Sequence, residues 1–157
     1  RGAALMTGTR VEIERVTCNK EMKVSRTLSE TFYEEMQKIP VPVYTDEEMR
    51  FAEKISGEAG LENDGEYFAG LEPLEDAPVP LAIGTDVSDV SHTVPTVMLS
   101  AAAMCRGTPL HHWAATAQAG MSIGQKGMFY AAECMAAGAL RLVKELDILE
   151  KAWKEMK

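Results

Sequence analysis

The chain has 157 residues, 46% of them hydrophobic and 25% charged, enough for one globular domain with its own core rather than a disordered segment. A net charge of −8 leaves no basic footprint for nucleic acid or an anionic membrane, and no apolar run reaches the length a bilayer requires. Three widely spaced cysteines, Cys18, Cys105 and Cys134, suit the reduced thiols of a cytoplasmic protein better than a disulfide framework.

The first residue is Arg1 rather than methionine, which leads to the expectation that the chain is a piece of something larger. Val11 and Ile13 alternate with charged residues and predict a half-buried strand over 10–17. Thr27 and Glu30 have the spacing of a capping box, and Leu28, Phe32 and Met36 continue as one apolar helix stripe that stops before Pro40. Thr45 and Glu48 repeat the device and open a helix to about Ser56, with Gly57 able to end it. From 57 to 77 glycines and acids predict a long surface loop. Eleven acids lie between Asp46 and Asp76, read as a solvated, solubilising face.

Val79–Ile83 predicts a buried strand, 85–92 a turn and a short helix, and 96–104 a second inner strand with β-branched residues at its start. Ser122 with Gln125 predicts a third capping box, opening an Ala-rich helix whose small residues allow close packing against a sheet. A short terminal helix carries Leu149, Trp153 and Met156. Strands alternating with helices predict an α/β fold.

Sites in open α/β sheets lie beyond the carboxyl ends of strands, and two loops occupy such positions. In the first, Gly84 permits close backbone approach, Thr85 offers a hydroxyl, and Asp86 can bond a substrate or cap the next helix. In the second, Gly107–Trp113, His111 and His112 stand side by side. Adjacent side chains diverge, so one imidazole rather than both would face a given ion. The pairs Glu34–Glu35 and Glu47–Glu48 lie on polar helix faces and read as solvated, as does His92; the cysteines read as inert. No HxD pair, HExxH, CxxC or nucleophile elbow is present.

The run from Gly84 to Ala137, above all "GTPLHHW" followed by "SIGQKGMFYAAE", together with the opening "GAALMTGTRVEIE", resembles the dinuclear metal aminoacylases and carboxypeptidases, a zinc-peptidase family. The resemblance implies the C-terminal part of an α/β/α catalytic domain over 27–157 and the end of a lid, or dimerisation, domain over 1–26. It implies zinc or manganese in a full-length parent, activating water against the amide of an amino acid of the aminobenzoyl-glutamate type. His111 then matches a metal ligand, and Gly84, Thr85 and Asp86 the substrate-binding loop. The family's other ligands have no counterpart here, so the chain alone is expected to bind metal weakly and not to hydrolyse. Self-association into a homo-oligomer is expected, with no nucleic-acid or membrane partner. A second class of function stays open: a non-catalytic binding or oligomerisation module, with Phe32, Met36, Trp153 and Met156 facing a partner.

Overall fold

In the computed structural model, which describes residues 1–61, 66–68, 70–76 and 84–156, all regular structure is helical. In chain order the helices are α1 (Gly2–Met6), α2 (Arg26–Met36), α3 (Asp46–Glu58), α4 (Val87–Val90), α5 (Trp113–Ala119), α6 (Ser122–Lys144) and α7 (Leu146–Glu155). The expected α/β layer, and with it the α/β/α catalytic domain, is corrected: no described residue belongs to a strand. Val79–Ile83 lies outside the described residues. The other two expected strands are described, and each fails for a physical reason.

A strand exists only through pairing, because its backbone donors and acceptors are satisfied by a neighbour. Residues 10–17 belong to no regular element and are solvent-exposed, with Ile13 at 74% and Val16 at 88%. Residues 96–102 keep the period of two read from the sequence. Val97 packs against Leu28, Ile148 and Ala152, while Leu99 and Ala101 pack against Met36, Tyr130 and Cys134; Met98, Ser100 and Ala102 between them are exposed. The side chains alternate as in a sheet, yet this backbone lies on helices and belongs to no ladder.

The long helix α6 organises the packing. It carries Gly124, Gly127 and Gly138 on its buried side. A Cβ at Gly127 would collide with the Ala102 carbonyl, and one at Gly138 with the Phe32 ring. These glycines lose helix propensity but let the Ala102 backbone and the Phe32 ring approach the helix closely; the expected packing against a sheet is corrected, since these neighbours belong to no strand. Helices α2, α5 and α7 all pack on α6, and α2 also packs on α7.

The helix starts differ from two of the three predicted capping boxes. At α3 the box is present: Thr45 Oγ1 accepts from Glu48 N at 3.3 Å, and Thr45 N donates to Glu48 Oε2 at 2.7 Å. At α2 the cap is Ser25, whose hydroxyl accepts from Leu28 N and donates to Glu155 at 2.7 Å. Thr27, inside the first turn, gives its backbone N–H and its hydroxyl to the same carboxylate, 128 positions away. At α6 the cap is Met121, and Ser122 turns to Glu48 instead. In α7 the buried residues are Ile148 and Ala152, while Trp153 of the predicted stripe is exposed.

Candidate functional site

The loop that carries His111 is held from inside. Gly107 takes φ +80°, a conformation L side chains rarely adopt, and the Thr108 N–H closes the turn onto the Cys105 carbonyl at 3.2 Å. Gln118, fully buried on α5, staples the loop with three bonds. Its Oε1 accepts from Cys105 N at 2.7 Å, and its Nε2 donates to Thr108 Oγ1 at 3.2 Å and to the Ala114 carbonyl at 3.0 Å. The Cys105 thiol lies 3.4 Å from Ser56 Oγ and 3.3 Å from Thr108 Oγ1. Cys105 is therefore part of the scaffold of this loop. The sequence reading missed Gln118; its one signal is a polar residue four positions after Ala114 on the buried stripe of a short Ala-rich helix.

The two adjacent histidines have separate fates. His112 is the N-cap of α5: Nδ1 accepts from Ala114 N at 3.3 Å, and the ring lies tilted against Trp113 at 5.5 Å between centroids. His111 is exposed and makes no hydrogen bond or ion pair among the described residues. The divergence expected of neighbouring side chains is realised, with one imidazole committed to the backbone and the other turned outward.

Thr85 Oγ1 accepts from Val87 N at 3.3 Å, and the Thr85 carbonyl accepts from Ser88 Oγ. Thr85 thus does the local work at the start of α4. Asp86 occupies the N-cap position but makes no side-chain cap bond and is exposed. Gly84 is exposed, with open space where a side chain would stand. Among the described residues no hydrogen bond or ion pair joins this loop to His111.

Three residues read as solvated are not. His92 Nε2 lies 2.8 Å from the Glu21 carbonyl; nearby, Lys23 N donates to Ser91 Oγ at 2.9 Å and Lys20 N to Asp89 Oδ1 at 3.3 Å. These three bonds hold residues 20–23 against α4. Glu48 is 7% exposed and receives Ser122 Oγ at 2.6 Å and Lys126 Nζ at 2.5 Å. Burial alone would raise its pKa, but the hydrogen bonds from Lys126, Ser122 and Thr45 outweigh it and hold the carboxyl at about 2. Glu35 receives Lys38 at 2.6 Å and Arg141 at 3.2 Å, and the Lys38 hydrogen bond is the main cause of its lowered pKa. Both carboxylates fasten helices together, α3 to α6 and α2 to α6.

A cavity of about 650 Å³ opens between α2 and the segments around Pro42, Leu71 and Leu99, with Tyr33, Tyr44 and Tyr130 in its wall. Burial, and then the neighbouring Cys134 thiol, push the Tyr130 phenol up to about 12. The cavity includes neither Gly84–Asp86 nor His111.

Among the described residues no three His, Cys, Asp or Glu side chains converge as a metal would need, and a stable zinc site takes three or four protein donors. The residues present therefore do not by themselves fit the metal implied by the resemblance. None of the described helices is long and apolar enough to cross a membrane.

No protein-family profile matches the chain, and none of the solved structures matches it significantly. Among curated proteins the resemblance read from the sequence is borne out. The chain spans a little over a third of the relative it matches: it is similar to a subunit of the p-aminobenzoyl-glutamate hydrolase of Escherichia coli (strain K12), with 30% identity over 178 aligned positions that cover 98% of this chain and 37% of that protein.

Proposed function

We propose that this chain contributes to hydrolysis of an amide of an amino acid, of the p-aminobenzoyl-glutamate kind, with His111 as a donor to zinc or manganese and Gly84, Thr85 and Asp86 against the substrate. The likeness to part of a hydrolase over nearly the whole chain supports the reaction class. The observation that carries the choice of residue is the split between the histidines: His112 is occupied as a helix cap, whereas His111 is exposed beside it. A bound divalent metal polarises a carbonyl and lowers the pKa of its water. One imidazole does not hold such an ion, and no step is assigned to a metal held by these residues alone. A cytoplasmic location is part of the proposal, supported by three unpaired thiols.

The test uses the natural full-length protein with p-aminobenzoyl-glutamate, following release of p-aminobenzoate at saturating zinc or manganese. His111→Ala is expected to lower kcat/KM about 100-fold or more with an unchanged melting temperature, a loss typical of a removed catalytic group. His112→Ala is expected to lower the melting temperature, as loss of a cap worth about 1 kcal/mol, with a much smaller effect on rate. Full activity of His111→Ala sinks the assignment.

A further inference from the structure

Among the described residues, 1–19 hydrogen-bond only with one another, α1 buries no side chain, and 5–21 are exposed throughout. The first bonds to the rest of the molecule come from residues 20–23, held by Asp89, Ser91 and His92. Of these three only Ser91 is fully buried, and its hydroxyl works in both directions. It accepts from Lys23 N at 2.9 Å and donates to the Ser88 carbonyl. Ser88, itself buried, donates its hydroxyl to the Thr85 carbonyl, which also takes the Ser88 N–H at 3.3 Å. One line of hydrogen bonds thus runs from the strap at 20–23 through two buried serines to the loop of Gly84–Asp86. At its end Thr85 Oγ1 accepts from Val87 N, and the Thr85 hydroxyl hydrogen has no acceptor among the described residues.

We propose that Ser88 and Ser91 are positioning residues: they fix the Gly84–Asp86 loop to the strap, so that Thr85 holds a free hydroxyl hydrogen for an acceptor oxygen of the substrate. This rests on the reading of that loop as the substrate loop. Two observations carry it. The helix α4 is four residues long and Asp86 gives it no side-chain cap, so by itself it cannot hold the loop. Alanine would favour the helix more than serine does and fill nearly the same space. Yet the two buried positions in and just after α4, three residues apart on one face, both carry hydroxyls. Those hydroxyls serve the connection between segments rather than the helix, and joined in line they polarise and strengthen one another.

The experiment uses the natural full-length protein with p-aminobenzoyl-glutamate at saturating zinc or manganese. Ser88→Ala and Ser91→Ala are each expected to raise KM about five-fold, the loss of one hydrogen bond, with kcat within about two-fold. Pairing them should add little, because either change breaks the same line. Thr85→Val should raise KM by as much, whereas Thr85→Ser, which keeps the hydroxyl, should leave it unchanged. Amide exchange over residues 85–88 should quicken in both serine variants. Ile148→Val, in a core cluster that includes no residue of α4, carries a comparable loss of stability and should move neither KM nor that exchange. A KM that rises for Thr85→Val but not for the serine variants overturns the positioning role and leaves the substrate loop standing. A KM unmoved by Thr85→Val removes the substrate reading, and this proposal with it. Exchange left unchanged in the serine variants overturns the proposal, as does a KM that Ile148→Val raises equally, which would reduce Ser88 and Ser91 to stability alone.

Discussion

At the scale of single residues, Gln118 and Glu48 illustrate two ways a polar side chain is tolerated inside. Gln118 has no solvent and three partners, so its removal leaves a buried backbone N–H unsatisfied. Gln118→Leu should cost about 1–3 kcal/mol, measured by urea denaturation, and should loosen the loop carrying His111, seen as faster amide exchange at Thr108. Glu48 is charged and paired, and its folded pKa of about 2 lies below the ordinary 4.5. The unfolded chain therefore takes up the proton first as pH falls. The contribution of Glu48 is complete above about pH 4.5 and is lost as pH drops toward 2. Glu48→Gln should flatten the fall in melting temperature across that window; an unchanged slope would show that the Lys126 and Ser122 contacts contribute nothing in solution. The spacing of Thr45 and Glu48 disclosed the cap, but not the burial. Burial comes from Ser122 and Lys126, 74 and 78 positions away.

At the scale of elements, helices were legible wherever a local device sets them. Thr45–Glu48 opened α3 as read, and the short helix expected within 85–92 is α4. The hydroxyls expected as caps at α2 and α6 both donate to distant carboxylates, Thr27 to Glu155 and Ser122 to Glu48, and both lie within the first turn of a helix that starts earlier than the spacing predicts. Strands were not legible, because alternation of side chains records which face is buried and is silent on whether a neighbour completes the ladder. Residues 96–102 alternate on schedule and pack on helices. The glycines of α6 make a graded prediction. Gly127→Ala meets a backbone carbonyl that cannot move aside, whereas Gly138→Ala meets a ring that can rotate. Gly127→Ala should therefore destabilise by about 1–3 kcal/mol, and Gly138→Ala by less, although in an open helix either change would add about 1 kcal/mol. Thermal melts of the two variants decide it.

At the scale of the whole molecule, the acidic balance and the apolar content belong to the sequence by itself, as does the likeness to part of a hydrolase, because they depend on which residues are present and in what order. So does the choice of loops that could carry chemistry, since Gly, Thr, Asp and His announce themselves by type. Only tertiary structure decided which histidine is committed to the backbone, which glutamates are buried, and that the described residues fold as helices without a sheet. The burial of Glu48 and the missing ladder turn on residues far along the chain, about which local spacing holds no information, whereas His112 is committed by a bond to Ala114 only two residues on, once α5 begins there.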